Sequence, residues 1–155
     1  METLVPMTQP EFLAYIEESV PGYAADKIAS GQWSETDALA LSRKSLEELL
    51  PQGLATPDNH LFTIVGDDSL RVGMLWIAIQ DRANRRVAYV YDVSIQPEHR
   101  RRGHAVRAFE ALQAKVRDMG LAGIALHVFG HNRAAQDLYT KLGFVTTNIN
   151  MFKPI

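Results

Sequence analysis

The sequence predicts an α/β chain of the α+β type, with a mixed, mostly antiparallel central sheet flanked by about four helices. Three observations carry this. Between residues 61 and 95, three strand-like runs are joined by short polar turns, which is the pattern of an antiparallel meander. At Gly103 the apolar period switches from strand-like to helical. The chain has 155 residues, 46% of them apolar, which is one ordinary domain with enough core to need neither disulfides nor a structural metal.

The elements follow in order. Thr8 with Glu11 three residues on is a capping box, and Phe12, Leu13 and Ile16 share one helical face, so a short first helix is expected to stop at Pro21-Gly22. Residues 23 to 33 show no clear period. Ser34 and Asp37 offer a second cap, and Leu39, Leu46, Leu49 and Leu50 form an imperfect stripe ending at Pro51. After a loop from Gln52 to Asn59, the runs Leu61–Val65 and Arg71–Gln80 flank the hairpin turn Gly66-Asp67-Asp68-Ser69. The third run, Val87–Ile95, follows the polar turn Asp81–Arg86. Val106, Phe109, Leu112, Val116 and Met119 then recur at three- or four-residue steps on a long amphipathic helix that Gly120 closes. Gly123–Val128 reads as a strand, Ala134–Leu142 as a helix closed by Gly143, and Phe144–Lys153 has strand composition with a break near Asn148–Asn150. The expected order is β-α-α-β-β-β-α-β-α-β. It is read as one domain over residues 1–155, with helices in 1–60 and the sheet in 61–155.

Composition narrows the function classes. Sixteen Lys and Arg against eighteen Asp and Glu give a formal charge of -2, unlike a protein that coats DNA or an anionic membrane. Without cysteine there is no thiol catalysis, no cysteine-ligated metal and no disulfide framework. The N-terminus lacks a basic segment followed by an apolar run, and the longest apolar run, Met74–Ile79, is strand-sized, so a soluble, cytoplasmic protein is expected. His127 and His131 are four apart, but Gly130 and the strand reading break the helical geometry a metal pair needs, so no metal is expected. No Gly-x-Ser-x-Gly is present, which speaks against a hydrolase.

The most informative stretch joins a strand to the long helix: Ile95-Gln96-Pro97-Glu98-His99-Arg100-Arg101-Arg102-Gly103-His104-Ala105. Unpaired N–H groups at a helix N-terminus bind anions, and small residues let a phosphate approach closely. Arg100-x-x-Gly103-x-Ala105 offers both, and Arg100, Arg101 and Arg102 add charge beside that position. Taken alone, the arginine run equally fits a solvated basic surface or a nucleic-acid contact.

Together with a second motif, these residues resemble the GNAT superfamily of acyl-CoA-dependent N-acyltransferases. The family's Arg/Gln-x-x-Gly-x-Gly/Ala loop is matched by Arg100, Gly103 and Ala105. Asn132-Arg133-Ala134-Ala135-Gln136-Asp137-Leu138-Tyr139-Thr140-Lys141-Leu142-Gly143-Phe144 resembles its Asn, alanine-pair, Leu-Tyr, Leu-Gly-Phe element. The resemblance is specific from about Tyr89 onward. It implies acetyl-CoA as co-substrate, with residues 1–60 as acceptor-side helices and 61–155 as the cofactor-binding half. The main chain of Val93 and Ile95 would pair with the pantetheine arm at a strand bulge not readable from the sequence. Arg100, Arg101, Arg102, Gly103, His104, Ala105 and Val106 would cradle the pyrophosphate. Asn132 would contact the cofactor arm, and the Tyr139 hydroxyl would meet the thioester sulfur. His104 is an unusual filler without an assigned role. Trp33 falls where relatives form an acceptor lip.

The reaction implied is direct acetyl transfer to a primary amine, of a small molecule or a protein, through a tetrahedral intermediate with both substrates bound. Tyr139 is the candidate acid and also fits a core aromatic. Asp92, the only carboxylate in its strand, is the candidate base, although strict alternation turns it away from the face of Tyr91 and Val93 unless a bulge intervenes. Many relatives carry a Glu where this chain has Tyr89 and Tyr91. Two other readings stay open: a CoA-binding GNAT-like domain without turnover, and a nucleic-acid module using Arg100–Arg102. No nucleic acid or membrane partner is expected, and a homodimer is left open.

Overall fold

The computed structural model describes residues 3–155. Its elements are β1 (Thr3–Pro6), α1 (Gln9–Ala29), α2 (Ala38–Leu49), β2 (Asn59–Val65), β3 (Arg71–Arg82), β4 (Arg85–Ile95), α3 (His104–Asp118), β5 (Ile124–Leu126) and α4 (Arg133–Lys141). Single 3-10 turns occupy Gly53–Ala55 and Pro97–His99. The sheet order is β1-β2-β3-β4-β5. The first four strands are antiparallel neighbours, and β5 runs parallel to β4. This is the mixed, mostly antiparallel sheet with four helices that the sequence predicts.

Both sheet faces are covered. On one, α3 drives Phe109, Leu112 and Val116 against Ile64, Leu75, Ile77, Ala88 and Val90. On the other, α1 and α2 pack Phe12, Val20, Leu46 and Leu50 over Leu61, Met74 and Trp76. The capping box at α1 forms as expected: the Thr8 amide donates to Glu11 Oε1 at 2.9 Å and the Glu11 amide to Thr8 Oγ1 at 3.4 Å.

Three expectations are corrected. The first helix does not stop at Pro21-Gly22 but continues to Ala29. Proline removes a helical donor, yet Pro21 and Glu17, whose carbonyl loses its partner, both lie on the exposed side where water replaces it. On the inner side Val20 and Ala24 are buried, and the Val20 carbonyl accepts from the buried Ser42 hydroxyl at 2.7 Å. The α2 stripe is also shifted: Ala38, Ser42 and Leu46 are its buried face, while Leu39 faces water. Finally, the strand expected over 123–128 shortens to Ile124–Leu126, and Phe144–Lys153 forms no strand. Strand composition needs a sheet edge to pair with, and among the described residues this segment pairs with none.

Candidate active site

Strand β4 carries an extra residue at the centre of the sheet. Trp76 pairs with Asp92 but Ile77 pairs with Val90, so Tyr91 is the bulged position. The bulge reverses both alternations along the strand. Ala88 and Val90 face the α3 core, and beyond the bulge Val93 and Ile95 face it too. Tyr91 and Asp92 both turn to the α1 side. There the Tyr91 ring stacks on Trp76 with centroids 4.7 Å apart, and Tyr15 reaches Asp92.

The main chain follows the same switch. Before the bulge the Ala88 amide donates to Gly123 O at 3.0 Å, on the β5 side; after it the Gln96 amide donates to Val72 O at 2.8 Å, on the β3 side. Two even-numbered residues of a regular strand would point to the same edge. Val93 and Ile95, out of phase with Gln96, therefore face their main-chain groups away from β3. On that side β5 has already ended, its last pair being Leu126 with Val90. The outcome is a slot beside the last turns of β4.

At the head of the slot lies the loop before α3. It encloses a cavity of about 260 Å³ between Ile95 and Leu138, walled by His99, Arg100, Arg101 and residues 103–106. Arg101 at φ 62° and Gly103 at φ 82° are both left-handed, the alternation that aims successive amides into one concavity. Gly103 is also the N-cap of α3 and has no side chain of its own to cap the first turn. A Cβ there would stand 2.7 Å from Arg107 Nη1. Arg107, which the sequence reading missed, braces the loop from one turn inside α3, donating to the Arg102 carbonyl at 2.9 Å and lying 3.3 Å from His104 Nδ1. Its i+4 spacing from Gly103 was the available signal. Arg102 itself does not line the cavity, and Arg100 Nε donates to the Ile95 carbonyl at 2.8 Å, pinning the end of β4. Amides, two left-handed turns and flanking arginines together fit a diphosphate.

On the α1 side of the bulge the Asp92 carboxylate accepts from the Tyr15 hydroxyl at 2.7 Å. Burial raises its pKa, with the Asp26 and Glu18 charges adding to the effect; the Tyr15 hydroxyl and the Val93 amide oppose it. Tyr15, buried and facing that charge, is pushed well above the usual tyrosine range. No signal in the sequence pairs residues this far apart in the chain. Tyr139, on α4, is raised by burial and then by the Asp92 charge. Its ring packs edge-on against Phe109 and Phe144, while its hydroxyl makes no hydrogen bond among the described residues. Asn132 caps α4 through Oδ1, accepting from the Ala135 amide at 3.2 Å. His131 stands 3.9 Å from Asp26, and Trp33 packs on Tyr23.

The GNAT acetyltransferase family model matches residues 24–144. The chain belongs to the GNAT family of acetyltransferases. Two proteins of Bacillus subtilis (strain 168), the uncharacterized N-acetyltransferases YycN and YdgE, are similar to it. YycN is 36% identical over 98% of this chain and 97% of its own. YdgE is 34% identical over 99% and 98%. The YycN crystal structure superposes at TM-score 0.94, covering 100% of this chain and 99% of that one. AAC(6')-Iy, in complex with the bisubstrate analog CoA-S-monomethyl-acetylneamine, shares the fold at TM-score 0.60 and 19% identity, covering 100% of this chain and 98% of that one. This GNAT chain is thus an acyltransferase of a family that uses acetyl-CoA. No helix among its described residues is long and apolar enough to cross a membrane.

Proposed function

We propose that this GNAT chain moves an acetyl group from acetyl-CoA to a primary amine by direct transfer with both substrates bound. The observation that carries the reading is the β4 bulge. One extra residue turns the Val93 and Ile95 main chain into the slot and swings Asp92 to the α1 face, beside a loop shaped for a diphosphate.

Acetyl-CoA brings the activated acyl carbon as a thioester. Arg100, Arg101 and the first-turn amides of α3 hold the diphosphate, and the outward groups of Val93 and Ile95 align the pantetheine like an added strand. Asp92, its pKa raised by burial, accepts the proton that leaves the acceptor ammonium. A main-chain amide of β4 that faces the slot donates to the carbonyl oxygen as charge develops there. Tyr139, kept protonated by burial, donates to the departing sulfur. Most of the acceleration then comes from holding amine and thioester together in the slot. Glu18 and Asp26 add negative potential on the acceptor side, which favours a cationic amine.

Thiol release from acetyl-CoA, measured with a panel of a polyamine, an amino-acid amide, a lysine peptide, a free-N-terminus peptide and an aminoglycoside, tests the reading. Turnover with one class and an acetylated product by mass spectrometry is expected. Tight acetyl-CoA binding without turnover on any amine would instead mark a binding domain.

A further inference from the structure

The α1 side of the sheet carries a charge that the transfer step does not use. Trp76, Gln80 and Arg82 are alternate residues of β3 on that face. Arg82 stands at the hairpin tip opposite Arg85, where a long cation ordinarily extends into water. Here it is drawn back along the sheet. Its guanidinium lies 4.0 Å from the ring centre of Tyr89, and Nε donates to Gln80 Oε1 at 3.0 Å. Gln80 is fixed in turn, since its side-chain amide donates to the Tyr91 hydroxyl at 2.8 Å and the Tyr91 ring is stacked on Trp76. With its face on a ring and its Nε occupied, the guanidinium keeps the edge bearing its two Nη groups as a planar fork. Arg71 has Glu11 at 2.7 Å and Arg86 has Asp81 at 3.7 Å, but among the described residues no carboxylate is within ion-pair reach of Arg82. Such a fork is the shape that pairs with a carboxylate through two N–H groups.

The fork lies on the acceptor side of the bulge. The Tyr89 ring meets Tyr91 edge-on at 4.9 Å, on the same face of β4 as Asp92. Burial raises the Tyr89 pKa and the Arg82 charge opposes it; Tyr91 and Tyr23, the latter on α1, raise it again. The helix that reaches Asp92 through Tyr15 therefore also comes close to the ring beneath Arg82. The two ends of this surface differ in sign, because Asp26 and Glu18 act on Asp92 whereas Arg82 acts on Tyr89. Their separation follows from the register. Tyr89 and Asp92 sit opposite Ala78 and Trp76, two residues apart on β3, so about 7 Å of strand lies between them.

We infer that the acceptor carries a carboxylate as well as its amine, the amine placed at Asp92 and the carboxylate on the Arg82 fork, with the chain between them lying over Tyr89 and Tyr91. The inference rests on the acetyl transfer proposed above and names its substrate class. A stem of about five carbons or a dipeptide backbone spans the two charges. Glycine holds its charges too close together, and a diamine sets a second cation against Arg82. In the transfer the ammonium gives one proton to Asp92 and the N–C bond forms. The thioester C–S bond then breaks as Tyr139 protonates the sulfur, and the second proton lost by the nitrogen restores that hydroxyl. The products are CoA and an N-acetyl acid.

The test compares acceptors that differ at one end. With acetyl-CoA and the full chain, kcat/KM is expected to be at least about tenfold higher for 6-aminohexanoate than for hexylamine or cadaverine, the difference lying mainly in KM. Arg82→Gln should bring 6-aminohexanoate down to the level of hexylamine, and Arg82→Glu should turn the preference toward cadaverine. Glycylglycine used better than 6-aminohexanoate would assign the site to a peptide N-terminus, and the reverse order to an amine at the end of a carbon stem. Equal use of 6-aminohexanoate and hexylamine, or a preference that survives Arg82→Gln, would overturn the inference and leave acetyl transfer standing. A second readout does not need turnover. Calorimetric titration of 6-aminohexanoate into protein saturated with CoA should show binding that Arg82→Gln weakens about tenfold. Such binding with no acetylated product would keep the carboxylate site and sink the transfer, whereas no binding would overturn the site. If an Arg82 variant fails to fold, the comparison of 6-aminohexanoate with hexylamine on wild-type protein decides alone.

Discussion

The Tyr15 hydroxyl donates to Asp92 Oδ2 at 2.7 Å, tying the second turn of α1 to the bulge of β4. This bond joins the acceptor-side helices to the strand that lines the slot. It also sets the charge state of the proposed base: burial raises the Asp92 pKa and the Tyr15 donor pulls it back. Tyr15→Phe keeps the ring beside Trp76 and deletes only the donor, so the Asp92 pKa should rise further. A base works deprotonated. The acidic limb of the kcat/KM profile should therefore move to higher pH, with the plateau within about threefold of wild type. An unmoved limb would separate Asp92 from the proton transfer.

Asp92→Asn should lower kcat/KM by about 10²–10⁴, the range for a lost acid–base group, at every pH. It should also make the protein more stable at neutral pH. The folded-state pKa of Asp92 lies above the ordinary aspartate value of 3.8, so between those two values the folded chain binds more protons than the unfolded one. Stability then falls as pH rises through that window, and above it the full cost of a buried carboxylate is present. Asparagine carries no such cost and still accepts from Tyr15. The variant's Tm should exceed wild type at pH 7.5, and the difference should close as pH falls toward 3.8. A parallel pair of Tm curves would mean that the carboxylate is not strained by its burial.

Much of this was legible because it is local. The Thr8–Glu11 box, the turn after Val65, the stripe from Val106 to Val116 and the glycine before α3 each follow from spacing within a few residues. The bulge at Tyr91 was not legible, because nothing in Tyr89–Val93 favours one register over another; β3 settles it by seating Trp76 opposite Asp92. Tyr15 was hidden for the same reason, since its partner is 77 residues away. Phe144–Lys153 has the composition of a strand yet forms none, because composition does not supply an edge to pair with.

Tyr139→Phe removes a half-buried hydroxyl without disturbing the edge-on packing on Phe109 and Phe144. Acetyl-CoA binding should stay within about threefold, while kcat falls roughly ten- to a hundredfold, less than for most acids because a thiolate leaves readily. A silent substitution, with the acceptor known, would reduce Tyr139 to packing and leave transfer to proximity and the strand amide.

The loop before α3 offers the most direct assay of the diphosphate site, because its geometry depends on two residues that act together. Gly103→Ala forces a side chain onto φ 82° and toward Arg107 Nη1, so the loop must open or the guanidinium must leave the Arg102 carbonyl. Acetyl-CoA affinity by calorimetry should fall about tenfold, and further for Gly103→Glu, which adds a negative charge where phosphate sits. Arg107→Met removes the brace while keeping the helix, and about a fivefold loss is expected. The double variant Gly103→Ala with Arg107→Met should bind better than the sum of the two losses implies, since the alanine no longer meets the guanidinium. Wild-type protein should bind CoA more tightly than short duplex DNA at moderate salt. Full additivity in the double variant would show that glycine and arginine shape the loop independently, and unchanged affinity in a folded Gly103→Glu would move the diphosphate site elsewhere.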